Sequence, residues 1–272
     1  MRDIRIAAVC MKSKPHDVRE NLVRMETLVQ EASEMEADIV CFPELSLTGY
    51  IIKEPSSVYT ISDSSEIIDR VCGVAGSKGM IIIAGMVEVR EHGKPYLSQI
   101  VAGPHGLLGI YRKTHLSPLE SEVYQRGQHI DIFRYDDISF GVQLCYEAHF
   151  PEISTIMALK GAEIIFMPHA SPRGRPKEKM RSWLRHLPAR AFDNSVFIVA
   201  CNQVGRNISG LSFPGCSVVI NPSGRPIAKY TGKEEKIIFA DLREGLLRDI
   251  KSHRMKYFLP NRRPELYQRI IK

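Results

Sequence analysis

The chain has 272 residues, 44% hydrophobic and 25% charged, which is the balance of a water-soluble globular protein with room for one large domain or two small ones. No apolar run approaches the roughly 18–20 residues of a membrane span. Residues 1–6 enter a strand pattern without a signal-peptide apolar core, so a cytoplasmic protein is expected. The formal charge is +6, yet the basic residues are dispersed apart from clusters in 173–185 and 248–263, and they form no RNA-binding or helix-turn-helix signature. A solvated surface, or attraction for an anionic substrate, accounts for them, and nucleic acid is set aside as a partner.

The six cysteines are Cys10, Cys41, Cys72, Cys145, Cys201 and Cys216. None forms a Cys-x-x-Cys pair, which excludes a zinc framework of the usual spacing. Most sit in apolar runs, where a free thiol behaves as a small buried hydrophobe.

Taken in order, residues 4–10 read as a first strand, and Val18, Leu22, Met25, Val29 and Ala32 space a helix over 16–35. Residues 38–43 form a short buried strand that stops at Pro43, with Glu44 next. A helix follows over 64–78 with Gly79 as its stop, then strands at 80–89, 98–102 and 107–111. The last runs into Arg112-Lys113-Thr114-His115-Leu116, and a polar loop is expected as far as Gln128. Residues 130–135 and 138–144 read as a hairpin around Asp136-Asp137 that delivers Cys145. A short helix at 152–160, a strand at 163–167, a Pro/Gly/Arg-rich loop and one long helix at 178–194 come next. Strands at 196–200, 217–220 and 237–240, a turn at Asn221-Pro222-Ser223-Gly224, a helix from Arg243 and a basic tail complete the chain. Helices and strands alternate without a composition break, repeat or low-complexity tract, the pattern of an α/β domain with stacked sheets between helical layers.

Three polar side chains follow apolar strands directly: Glu44, Lys113 and Cys145. Alone, each has a plain reading: a helix-start acid, a surface cation and a core thiol. Together they form a working set, because strand ends of an α/β sheet gather at one mouth. A carboxylate in a desolvated pocket can take a thiol proton, and an ammonium can stabilise the thiolate or an oxyanion. Pro151-Glu152 opens a helix just behind Cys145, and a helix N-terminus favours the thiolate.

Phe42-Pro43-Glu44-Leu45-Ser46-Leu47-Thr48-Gly49-Tyr50, Tyr111-Arg112-Lys113-Thr114-His115-Leu116 and Gly141-Val142-Gln143-Leu144-Cys145-Tyr146-Glu147-Ala148-His149-Phe150-Pro151-Glu152 resemble the three signature blocks of the nitrilase superfamily of carbon–nitrogen hydrolases, in the family's order and spacing. The resemblance implies an α/β fold, a four-layer α-β-β-α sandwich, with a hydrolase domain over 1–245 and a tail over 246–272 that packs on a partner subunit in a homodimer or larger homo-oligomer. It implies Glu44 as general base, Lys113 as oxyanion stabiliser and Cys145 as nucleophile, with no metal or organic cofactor. A second glutamate after the lysine positions substrate in this family; Glu120 and Glu122 both fall in that loop, and Glu120 is the preferred one.

The substrate expected is a small amide or carbamoyl compound cleaved through a thioester, with ammonia released. True nitrilases carry Cys-Trp-Glu where this chain has Cys145-Tyr146-Glu147, which ranks nitriles lower. Carbamoylases place arginines where Ala148-His149 stand, and His149 and His115 read as structural. Tyr146 and His169 are expected to line the substrate site, and Arg173 or Arg175 offers a guanidinium fork to a substrate carboxylate unless both only decorate a surface loop. Asn202 either faces the pocket or caps a turn. A catalytically silent binding protein on the same fold is the reading from another class, and the presence of all three catalytic residue types argues against it.

Overall fold

Strand β1 (Ile4–Cys10) is buried on both faces, so its alternating side chains enter two different cores. Ile6 and Ala8 join Cys41, Ile83, Phe140, Val142 and Phe166, whereas Ala7 and Val9 join Met25, Val29, Val71 and Ala75. That two-sided burial requires a layer on each side of the strand.

The computed structural model describes residues 1–51, 59–208 and 210–268. After β1 come α1 (Val18–Glu34), β2 (Ile39–Cys41), α2 (Ile61–Lys78), β3 (Ile81–Glu88), β4 (Tyr96–Gly103) and β5 (Gly106–Arg112). Next are α3 (Pro118–Val123), β6 (Ile132–Tyr135), β7 (Ile138–Val142), α4 (Pro151–Leu159) and β8 (Ile164–His169). Then follow α5 (Pro176–Trp183), α6 (Leu187–Asn194), β9 (Phe197–Asn202), β10 (Gly205–Arg206), β11 (Ser212–Phe213) and β12 (Gly215–Ile220). Strands β13 (Pro226–Gly232) and β14 (Lys236–Leu242) and helix α7 (Glu244–Ser252) end the ordered series.

Two six-stranded mixed sheets form, in the orders β14-β1-β2-β3-β4-β5 and β13-β12-β9-β8-β7-β6. Each has a parallel centre, β1-β2-β3 in one and β7-β8-β9 in the other, flanked by antiparallel strands. Helices α1 and α2 cover the outer face of the first sheet. Helices α5 and α6 pack on the second, with α4 against α6. The layers therefore run α-β-β-α, the expected sandwich. Strand β5 is antiparallel to β4, which is antiparallel to β3, so β5 runs the same way as β3. The chain leaving β2, β5 and β7 thus reaches residues 44, 113 and 145 at strand C-terminal ends, where active sites of such sheets gather.

Three expectations change. The loop up to Gln128 contains α3, whose Ser117 cap accepts from the Glu120 N–H at 3.4 Å while Glu120 accepts from the Ser117 N–H at 2.7 Å. The single helix at 178–194 is two helices, because Pro188 sits in the first turn of α6, where its missing N–H costs nothing but ends any helix running in from α5. Strand β13, alternating and largely exposed on the sheet edge, was not expected. Helix α7 runs across 245/246 and buries Leu247; residues 269–272 of the tail lie outside the described residues. Among the described residues no helix is long and apolar enough to cross a membrane.

Candidate active site

Each of the three strand-end residues is fixed by backbone pairing beyond its strand. Past β2, the Phe42 N–H donates to Ile83 at 2.8 Å, and Gln203 donates to the Glu44 carbonyl at 2.8 Å. Leu45 has φ +56, and Gly85 lies against it: a Cβ there would sit 2.3 Å from the Leu45 nitrogen. Only glycine permits that approach. Past β5, the Lys113 N–H donates to Leu97 at 2.9 Å and its carbonyl accepts from Gly127 at 2.8 Å.

Cys145 opens a one-turn 3-10 segment, Cys145–His149, with φ +42, a left-handed conformation that costs a non-glycine residue roughly 1–3 kcal/mol. Glu147 enforces it. Fully buried, its carboxylate accepts from the Leu144 N–H at 2.6 Å, the Thr114 N–H at 2.7 Å and hydroxyl at 2.6 Å, the His115 N–H at 3.2 Å, and the Tyr111 hydroxyl at 3.0 Å. Gln143 adds a bond to the Glu147 carbonyl at 2.6 Å and is itself held by Ser154 at 2.7 Å. Glu147 thereby ties the Cys145 turn to the segment carrying Lys113. Sequence reading had not singled out this residue; its signal was an acid inside an otherwise apolar and aromatic turn.

The Lys113 ammonium is completely buried and bridges Glu44 at 2.7 Å and Glu120 at 2.8 Å. The second oxygen of Glu44 accepts from the Ala170 N–H at 3.0 Å. Glu120 and Glu122 share α3, but Glu120 is buried against Lys113 and Glu122 is exposed. Burial raises the Glu44 carboxyl, with Lys113 opposing and Glu120 adding to the rise. For Lys113 burial alone pulls downward, yet the two carboxylates outweigh it and hold the ammonium charged well above its usual range. Burial, then Glu44, pushes the Cys145 thiol well up, with Lys113 and the Ala170 N–H opposing.

The resting sulfur is therefore a thiol. This differs from the expected helix-dipole thiolate: α4 begins six residues on, and burial together with the Glu44 charge outweighs Lys113. A raised carboxylate beside a raised thiol is a proton-transfer pair, and the ammonium between two carboxylates is placed to hold developing negative charge. The other cysteines are also free; Cys10, Cys41, Cys201 and Cys216 are buried in the core as expected.

Cys145 opens onto a cavity of about 220 Å³ lined by Tyr50, Glu120, Tyr146, His169, Trp183 and Lys179, among others. His169 is buried, donates through Nδ1 to the Met167 carbonyl at 2.7 Å, and lies on Trp183 with ring centroids 4.4 Å apart. Burial pulls its pKa down to about 3, so the ring is neutral and its Nε2 is a free acceptor. Tyr146 and His169 thus line the same cavity as Cys145. Arg173 and Arg175 are exposed and outside the lining, because the Arg173 N–H pairs with Ser212 and Arg175 starts α5, turning both outward. His149, expected to be structural, lines the mouth stacked on His186 at 4.8 Å. His115 lies on Phe150 at 4.5 Å, outside the lining. Asn202 caps the turn, accepting from the Ser171 N–H at 2.8 Å and donating to Pro214 at 2.9 Å. Among the described residues no three His, Cys, Asp or Glu side chains are grouped to hold a metal.

The sequence profile of carbon-nitrogen hydrolases matches residues 5–252. A nitrilase of Pyrococcus abyssi is 31% identical, with 98% of this chain and 100% of the relative covered. A 2-oxoglutaramate amidase of Bacillus subtilis is 31% identical over 82% of this chain and 84% of its own. The crystal structure of an amidase from Nesterenkonia sp. superposes with a TM-score of 0.86 at 24% identity, covering 98% of this chain and 96% of that one. With the profile spanning the domain that carries the Glu44–Lys113–Cys145 cluster, the chain belongs to the carbon–nitrogen hydrolase family, within the nitrilase superfamily, and is a hydrolase of carbon–nitrogen bonds other than peptide bonds.

Proposed function

We propose that the protein hydrolyses a small amide through a thioester on Cys145. The observation that carries this reading is the buried Lys113 ammonium shared by Glu44 and Glu120 beside the thiol. Glu44 takes the thiol proton as the sulfur attacks the amide carbonyl carbon, and the carbonyl π electrons move to oxygen. Lys113 and the backbone N–H of Tyr146 hold that oxyanion. Its collapse expels the nitrogen, which takes from Glu44 the proton that came from the thiol and leaves as ammonia or an amine, so that Glu44 is again a carboxylate. Glu44 then deprotonates a water that attacks the thioester; the sulfur departs and recovers its proton, and a carboxylic acid is released. Glu120 holds Lys113 in place and faces the substrate nitrogen from the cavity wall.

Amides rank ahead of nitriles because Tyr146 follows the nucleophile; of the two relatives at 31% identity, one is an amidase and the other a nitrilase. The small cavity favours a substrate well below drug size. We place the protein in a homodimer, since Ile156 and Leu159 of α4, Phe192 of α6 and Phe258 leave apolar surface exposed; a monomer by light scattering contradicts the dimer. The deciding experiment measures ammonia release from aliphatic amides, ω-amides of diacids, N-carbamoyl amino acids and nitriles. Wild type is expected to turn over an amide, and Cys145→Ala to lose the activity while keeping its fold by circular dichroism. Carbon dioxide beside ammonia reveals a carbamoylase instead, and a Cys145→Ala protein near wild-type rate overturns the nucleophile.

A further inference from the structure

Among the ionisable lining residues that the mechanism leaves unused, one is a lysine. Lys179, on α5, is half-buried and is the only Lys or Arg among the described residues lining the cavity. Its ammonium donates to the Ser171 hydroxyl at 2.7 Å and lies 3.4 Å from the Pro172 carbonyl, both neutral acceptors. It forms no ion pair among the described residues. Its neighbour Glu178 instead accepts from the Arg175 N–H at 3.0 Å. A lysine held in a wall without a countercharge has surrendered part of its hydration for nothing in the protein. Burial pulls it below the ordinary lysine range, and Cys145 and Cys216 are the groups that push the other way.

The remaining ionisable groups on the lining are arranged by sign. Glu120, backed by the Glu44–Lys113 pair, lies at the chemical end. His169 is neutral, and burial, then His149, pulls His186 down to about 4, so it too is uncharged near neutral pH. Lys179 is therefore the cation of the cavity wall, in a space of about 220 Å³.

We propose that Lys179 is a specificity residue that binds a carboxylate at the far end of the acyl chain, making the preferred substrate the monoamide of a short dicarboxylic acid. The proposal rests on the amidase reading for its chemistry and on Lys179 for its selectivity. The neutral carboxamide meets Glu120 and Cys145, and the carboxylate supplies the countercharge that Lys179 lacks. An ammonium–carboxylate hydrogen bond in a partly desolvated site is among the stronger polar contacts.

The test compares kcat/KM for the monoamides of succinic and glutaric acid with that for butyramide and valeramide. In wild type the charged amides are expected to be favoured about tenfold or more. Lys179→Met lowers that ratio at least tenfold, chiefly through KM, whereas Lys179→Arg keeps it within about threefold. A second arm measures binding of the glutaric acid monoamide and valeramide to the Cys145→Ala protein by calorimetry, with and without Lys179→Met. Tighter binding of the charged ligand that disappears with Lys179→Met supports the site even if wild type hydrolyses no amide, in which case the amidase reading alone falls. Equal use or equal binding of charged and neutral amides, a ratio unchanged by Lys179→Met, or no measurable binding of either ligand overturns it.

Discussion

Replacing Lys113 by methionine keeps an unbranched side chain one heavy atom shorter and removes the charge shared by Glu44 and Glu120. Contacts at 2.7 and 2.8 Å each carry about 6 kcal/mol of gross attraction at an effective dielectric of ~20. Taking three charges out of water offsets most of that, at several kcal/mol per ion. The variant inherits the cost without the attraction, so it is expected to lose about 3–5 kcal/mol of stability at neutral pH. The sign of the pH dependence follows from Glu44. Its folded pKa is already raised by burial, and losing Lys113 raises it further. A carboxyl raised above its unfolded value of about 4.3 binds more protons folded than unfolded, so stability falls as pH climbs through that window. Wild type shares part of this slope, and the variant's is steeper. Urea unfolding at pH 5 and pH 8 checks the expectation: the deficit of Lys113→Met is larger at pH 8. Because the groups are buried, added salt leaves it nearly unchanged. A deficit below about 1 kcal/mol, or one equal at both pH values, refutes the idea that a buried charge network holds these elements together.

Glu147→Gln is nearly isosteric but turns an amide N–H₂ toward the Leu144 and Thr114 donors, so it is expected to cost about 2–3 kcal/mol and to lower kcat more than it changes KM. Urea unfolding and steady-state kinetics check this, and a stability within about 0.5 kcal/mol of wild type sinks the positioning role. Because burial holds Glu44 above the ordinary carboxylate range near 4.3, activity is lost as pH falls through that raised value, and the acid limb of kcat/KM lies above 4.3. A limb at or below about pH 4 removes Glu44 as the base.

Much of this protein is written locally. The two-residue alternation of β1 and the five-residue apolar step before Glu44 mark strands whatever packs on them, and three polar residues at strand ends name the chemistry. The Ser117-Pro118-Leu119-Glu120 start of α3 was also legible, since a Ser with Glu three residues on is a capping signal. Pro188 likewise marked the break between α5 and α6.

Other features exist only once distant segments meet. Glu120 and Glu122 are alike in sequence and lie on one helix, and burial against Lys113 separates them. Glu147 becomes a hub because β5 and β7 bring Thr114 and Leu144 to one carboxylate. The state of Cys145 follows the same rule. Sequence placed a thiol ahead of a helix and argued for a thiolate, whereas the fold buries it near Glu44, and burial first and that charge second keep its proton on. Lys179 looked like one more surface cation until α5 turned it into the cavity while Arg173 and Arg175 pointed out. Periodicity and strand-end chemistry depend on neighbours along the chain, so the sequence alone pointed to stacked sheets between helical layers and to Glu44, Lys113 and Cys145 as the candidate set. Protonation depends on desolvation and on charges brought from far away, as does which cation faces the cavity, so only the tertiary structure decided those.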